Sequence, residues 1–298
     1  MHRNKNLILL HITVFIWGFT AIFGALISVS AYELVWYRML IASISLFIYE
    51  YVWNKYRPQL SFKKQLILLG IGGIVALHWF FFYHSIKTST ISVALVCLSS
   101  TALFTSFLSP VFNKKSKISI VDLIIGSVII VGIAFIFSFE TQYTEGIIYG
   151  LIASLCAAIF TIFNEIEVKD LPASTIGLYE MFGGFLLLSL YLGFTNSQNQ
   201  YQLAISSSDF WYLMLLGTVC TALAYVTGVA VMKELSAYTV VLTTNLEPVY
   251  GIVLAVLIFG KRELMTAGFY QGAAIILLAV FAYPFVKSHF NREPNTKN

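Results

Sequence analysis

The sequence predicts an all-α polytopic membrane protein, with ten transmembrane helices arranged as two inverted five-helix repeats. Three observations predict it. The first is composition: of 298 residues, 58% are apolar and 11% are charged, and mean hydropathy is +0.82. Soluble domains carry ~25% charged residues, so too little polar surface is present to solvate a globule. The second is a series of ten apolar segments, which at ~20 residues per span would use about two thirds of the chain. The third is an internal repeat in the order of those segments. A net charge of +4 from 18 basic and 14 acidic residues is too mild and too scattered for a nucleic-acid footprint. Cys97, Cys156 and Cys220 lie singly in apolar runs, so neither a disulfide framework nor a zinc site is indicated, and no cofactor or metal is expected.

Taken in order, the segments are 7–27, 34–53, 65–84, 91–112, 118–138, 146–164, 174–194, 210–231, 237–259 and 265–286. The first follows Arg3 and Lys5 but is too long for a signal-peptide core and has no A-x-A exit, so it reads as a retained helix. The second carries Arg38 and, near its end, Glu50. The third holds Gly70, Gly72 and Gly73 and closes on the run His78 to His84, whose aromatics read mostly as an interfacial belt. The fourth contains Pro110, and the fifth has Asp122 near its start. The sixth repeats small residues at Gly146, Gly150 and Ser154, and the seventh carries Glu180 and Gly183-Gly184. The longest polar loop, 195–209, precedes the eighth segment, which holds Tyr225. The ninth contains Asn245-Leu246-Glu247-Pro248 and Tyr250, and the tenth has a GxxxG at Gly268 and Gly272. Small faces of this kind let backbones approach closely; the GxxxG fits a helix contact inside the chain or between subunits, and the oligomeric state stays open.

Counting Lys and Arg sets the orientation. With the N-terminus inside, 14 of the 18 basic residues fall on the cytoplasmic side; Lys87, Lys261 and Arg262 fall outside, and Arg38 lies within a helix. Both termini are therefore expected in the cytoplasm. A shift of 146 residues lays 91–112 and 118–138 on 237–258 and 264–284, Lys87 on Lys233, and Gly126 on Gly272; a shift of 141 lays the first two segments on the sixth and seventh. Units of five spans must enter the membrane in opposite senses, so residues 1–140 and 141–290 form inverted repeats, followed by a tail, 291–298. In transporters of this plan the site lies near midplane at the repeat interface.

At Trp17-Gly18, Arg38-Met39-Leu40-Ile41-Ala42, Leu246-Glu247-Pro248, Phe259-Gly260-Lys261-Arg262-Glu263 and Gly272 the chain resembles the EamA family of ten-helix exporters in the drug/metabolite transporter superfamily. It departs from that pattern at Ala102, where the family usually has proline, at Asn113-Lys114-Lys115, and where Lys261 and Arg262 precede Glu263. The resemblance implies a basket of helices around a central cavity, alternating access and export of small metabolites, amino acids among them. It also points to a bacterial cytoplasmic membrane.

Glu247 is the first candidate for substrate binding or ion coupling. A carboxylate at mid-bilayer costs ~2.5–3.5 kcal/mol on insertion scales. The adjacent Pro248 removes a backbone donor and frees carbonyls, which is tolerated only against protein or a water-filled cavity. Asn245 shares that stretch. The alternative reading is a polar pin to a neighbouring helix. Arg38 and Glu180 occupy near-equivalent places in helices 2 and 7, about one turn inside opposite ends. One suits a carboxylate and the other an ammonium group, while snorkelling to the head groups accounts equally for such positions. Glu50 reads as an interfacial charge. Trp17, Tyr225 and Tyr250 lie deep and need hydrogen-bond partners, so they face either a cavity or the ordinary core. His78 is a further cavity candidate; His11 and His84 read as structural.

The residues thus favour a secondary transporter, the resemblance implies that it exports a small metabolite such as an amino acid, and Glu247 motivates a proton-linked cycle. A passive facilitator shares the same fold and cavity. An intramembrane enzyme would need a reactive constellation, and neither HExxH nor GxSxG is present. Expected partners are a small-molecule substrate and the lipid bilayer, without nucleic acid.

Overall fold

The computed structural model describes residues 2–112, 118, 120–195 and 204–290. Every regular element among them is helical. The elements are α1 (His2–Leu26), α2 (Ala31–Phe47, prolonged by a π-helical turn Ile48–Trp53) and α3 (Phe62–Thr88). Next come α4, in halves α4a (Ile91–Leu98) and α4b (Thr101–Phe112), then α5 (Ile120–Phe139), α6 (Thr144–Glu167) and α7 (Ala173–Thr195). Helix α8 has halves α8a (Ser207–Gly217) and α8b (Ala224–Ala230) around a π-helical turn, Thr218–Leu223. Helix α9 has halves α9a (Ala237–Thr244) and α9b (Leu246–Phe259), and α10 runs over Ala267–Phe290. Among the described residues, nine stretches are long and apolar enough to cross a membrane, and α10 adds an apolar stretch over Ala267–Tyr283. Asn113, Lys114, Lys115, Lys117, Arg292 and Lys297, which enter the orientation argument or the family pattern, lie outside the described residues, as do 196–203 and the tail 291–298.

Helices α2, α3 and α8 begin three residues earlier than their apolar runs. Serine caps explain this: Ser30, Ser61 and Ser206 each accept the backbone N–H three residues on, at 3.4, 3.3 and 3.1 Å. Ser30 completes a capping box by donating its own backbone N–H to Glu33 at 2.9 Å. Hydropathy sees the apolar run, whereas the cap sets where the helix starts.

Small residues decide which helices touch. Helix α3 lies along α6 and α7, α2 against α7, α4 against α9, α5 against α10, and α1 along α9b. A Cβ on Gly72 would fall on the Glu180 backbone, and one on Gly183 on the Leu69 backbone, so α3 and α7 meet almost backbone to backbone. Gly132 of α5 and Gly272 of α10 each face the other's carbonyl, and Gly268 faces Phe139. The GxxxG of α10 is therefore spent on α5 of the same chain. Gly146 and Gly150 seat α6 on Ser89 and Cys97, and the Ser154 hydroxyl donates to the Cys97 carbonyl at 2.8 Å.

Buried acidic groups tie the loops into two ends. At one end Asp209 accepts the Ser28 N–H (2.9 Å) and hydroxyl (2.6 Å). Glu263 accepts Ile91 N–H, Ser92 N–H and the Ser92 hydroxyl at 3.2, 3.1 and 3.0 Å, and Glu140 accepts Thr266 N–H at 3.0 Å. The turn carrying Lys261 and Arg262 thus shares an end with the α3–α4 turn, as an even number of spans between them requires. At the opposite end Lys64 pairs with Glu167, Tyr283 bonds Asp122, and Thr175 donates to Glu50 at 3.2 Å. Glu50 is 1% exposed; it is not an interfacial charge but an anchor between α2 and the start of α7, because the π-helical turn carries it inward.

Two helices break at corresponding places. Ser99 and Asn245 are 146 residues apart, and each sits between the halves of its helix. Proline cannot be the shared cause, since α4 has Ala102 where α9 has Pro248. Side chains instead take up the freed carbonyls: Ser100 bonds Cys97 O (2.6 Å) and Thr101 bonds Leu98 O (2.7 Å). In α9, Thr244 and Asn245 both bond Val241 O, at 2.7 and 2.9 Å. Pro248 falls in the first turn of α9b, where its missing N–H costs nothing.

Candidate functional site

The breaks in α4 and α9 face a central cavity of about 110 Å³. Helices α1, α2, α3, α4, α6, α8 and α9 contribute to its wall; α5, α7 and α10 stand behind. Apolar and aromatic surface dominates, from Trp17, Trp79, Phe82 and Phe160 among others. Into this surface project one cation, Arg38, one carboxylate, Glu247, and the amides Asn164 and Asn245.

Arg38 sits roughly two turns inside α2, because the serine cap lengthens the helix. It is 2% exposed, so it does not snorkel. Its Nε donates to Thr221 Oγ1 at 2.6 Å and one terminal nitrogen donates to Tyr83 Oη at 2.7 Å. Its Cζ lies 3.6 Å from the centroid of the Trp79 ring. Stacking on indole and two fixed hydrogen bonds hold the guanidinium plane in place, and a cation–π contact of this kind is worth ~2 kcal/mol or more when desolvated. Thr221 can serve because the π-helical turn of α8 points it inward. Its own hydroxyl bonds Leu216 O at 2.6 Å, five residues back.

Glu247 is the second residue of α9b, where the helix dipole favours a carboxylate. It is buried and lines the cavity together with Thr20 of α1. Trp17 also reaches the cavity, over Gly228, whose missing side chain leaves room for the indole. His78 lines the cavity and donates from Nδ1 to Ala153 O at 2.8 Å. Tyr225 lines it too, and its hydroxyl donates to Glu180 at 2.7 Å.

Of the residues singled out from the sequence, Trp17, Arg38, His78, Tyr225, Asn245, Glu247 and Pro248 meet at one cavity. Tyr250 does not: it sits half-buried against Phe15, at 5.7 Å between ring centroids, on the outer side of α1. Glu180 stands one layer back, completely buried behind Tyr225. Arg38 and Glu180 are each engaged elsewhere, and Glu247 rather than Glu180 shares the cavity with Arg38. The belt reading of α3 holds for only part of the run. Trp79, Phe82 and Tyr83 are buried at 6, 3 and 0% exposure, because α3 continues to Thr88 and carries them below the helix end. Asn164, Thr20 and Thr221 were not apparent from the sequence, since lone amides and hydroxyls carry no signal in an apolar run.

A bundle of membrane-crossing helices, two of them broken at a buried cavity, has the build of a membrane transporter. The comparisons name the family. The model of the EamA-like transporter family matches residues 4–138 and again 144–283, and the chain belongs to that family. It is 22% identical over 282 residues to the uncharacterized transporter YxxF of Bacillus subtilis (strain 168), covering 93% of this chain and 88% of that one. It is 26% identical over 212 residues to the uncharacterized transporter YdfC of the same organism, covering 66% and 65%. A solved structure titled only as a crystal structure of a protein shares the fold, with a TM-score of 0.70 at 13% identity over 96% of this chain and 99% of that one.

Proposed function

We propose that the protein is a secondary transporter that exports an α-amino acid with an apolar side chain, by alternating access and linked to protons. The observation that carries the substrate class is the cavity's charge pattern: Arg38 and Glu247 line one aromatic-walled space. A zwitterion needs both an anion receptor and a cation receptor, and a planar guanidinium suits a carboxylate. Glu247 would take the ammonium group, and Trp17, Trp79, Phe82 and Phe160 the side chain. The protein would lie in a bacterial cytoplasmic membrane with both termini inside, as the basic residues and the bacterial relatives support. The moving bodies would be the five-helix units 1–140 and 141–290. Three things support them: the paired packing of α2 with α7, α4 with α9 and α5 with α10, the two matched breaks, and the double match of the family model. A thermal-shift screen of the detergent-solubilised protein tests the reading, because a ligand that binds the folded form raises its apparent stability. Apolar L-amino acids should shift the melting temperature, and their decarboxylated amines should not. Equal shifts by both sets, or shifts by neither, would refute the assignment.

A further inference from the structure

Behind the cavity wall lies a second carboxyl group that substrate recognition does not use. Glu180 of α7 is 0% exposed. Its Oε2 accepts the Tyr225 hydroxyl at 2.7 Å and lies 3.5 Å from Asn164 Nδ2. Asn164 Nδ2 also donates to Tyr225 Oη at 2.9 Å, which closes a triangle of three side chains from α6, α7 and α8. Two buried oxygens in it have no hydrogen-bond partner, Glu180 Oε1 and Asn164 Oδ1. Each of these is an acceptor short of a donor.

Among the described residues, no cation pairs with Glu180. Glu167 of α6 faces Glu180 with the same sign, and it is itself paired with Lys64 of α3. From α3, the backbone at Gly72 covers Glu180. Arg38 of α2 and His78 of α3, which line the cavity, are bonded to Thr221, Tyr83 and Ala153. A buried carboxylate with no cation and one empty lone-pair side is expensive to keep charged. A proton removes that charge.

We infer that Glu180, Tyr225 and Asn164 form a proton-binding site, separate from the substrate's charged groups, that loads from the cavity through the Tyr225 hydroxyl. The inference deepens the proposed function by naming the coupling group. The proton count balances. Tyr225 gives its hydroxyl proton to Glu180 Oε2 and takes one aqueous proton from the cavity side, so that Glu180 becomes the acid and Tyr225 is unchanged. Return of the proton reverses both steps. Because Asn164 and Tyr225 line the cavity while Glu180 does not, substrate bound against them alters the environment of the carboxyl without touching it.

The test has a substrate-free arm and a transport arm. Infrared spectra of the purified, substrate-free parent protein, taken across a pH series, should contain a protonated-carboxyl stretch that vanishes as pH rises. That band should be missing in Glu180→Gln, present in Glu247→Gln and displaced in Tyr225→Phe. An unchanged band in Glu180→Gln overturns the site; should that variant not fold, an undisplaced band in Tyr225→Phe does so. In proteoliposomes, Glu180→Gln should keep amino-acid exchange at equal pH and lose at least tenfold of the accumulation driven by a pH gradient. Equal losses in both modes would mark Glu180 as merely structural. If the parent exchanges no amino acid, the substrate reading falls, while the infrared arm still decides the proton site.

Discussion

Replacing Arg38 with lysine keeps the charge and removes the plane. The native guanidinium is held by Thr221 at 2.6 Å, by Tyr83 at 2.7 Å and by the Trp79 ring at 3.6 Å. Lysine carries one compact ammonium group that cannot offer two parallel donors to a carboxylate. Counting only one lost hydrogen bond to a charged group, ~1.5–3 kcal/mol, affinity for an α-amino acid should fall about 10- to 150-fold. Calorimetric titration of leucine, methionine and phenylalanine into the parent protein and Arg38→Lys measures this directly. The decarboxylated amine of each should bind weakly to both proteins, with no dependence on the residue at 38. The reasoning is refuted if the substitution weakens amine and amino acid alike, since the loss would then be one of cavity shape. It is equally refuted if neither changes.

Other consequences follow from the same contacts. Gly72→Val would drive a side chain into the Glu180 backbone; the α3–α7 contact should open and the melting temperature in detergent fall sharply, whereas Gly70→Val, which meets nothing within 4 Å, should leave it unchanged. Glu263→Gln weakens the cap on α4 made through Ile91 and Ser92, so thermal stability should drop by about 1–2 kcal/mol while amino-acid affinity holds. Pro248→Ala should change stability by less than about 1 kcal/mol, because hydroxyl and amide side chains hold the break in α9 and the matching break in α4 exists without proline; a large loss would show that proline makes the break.

The fold was legible because water and lipid sort residues sharply: ten apolar runs, their polar separators and their repeated order needed no tertiary information. Glu247, Arg38 and Glu180 were legible for the same reason, as charges where charge is costly. The faces of the helices were not. Lipid tails are as apolar as leucine, so Ile130 and Leu278 on the outside read no differently from Ile129 and Ile276 within. That is why Tyr250 reads equally as a cavity or a core residue, and Trp79 as part of an interfacial belt. The pairing of Arg38 with the same cavity as Glu247, and the withdrawal of Glu180 behind Tyr225, depend on helix rotation, which a continuous apolar run leaves open. The two breaks were half legible: Pro248 marked one, while Ser99 and Ser100 gave no warning of the other.

Counterflow in proteoliposomes addresses the central claim most directly. Vesicles containing the purified protein are preloaded with an unlabelled apolar L-amino acid and diluted into a trace of the labelled one at equal pH on both sides. An alternating-access carrier predicts a transient, saturable overshoot of label inside, abolished by Arg38→Met. Label that equilibrates without overshoot, at a rate linear in concentration, would contradict the account and make the cavity a passive pore.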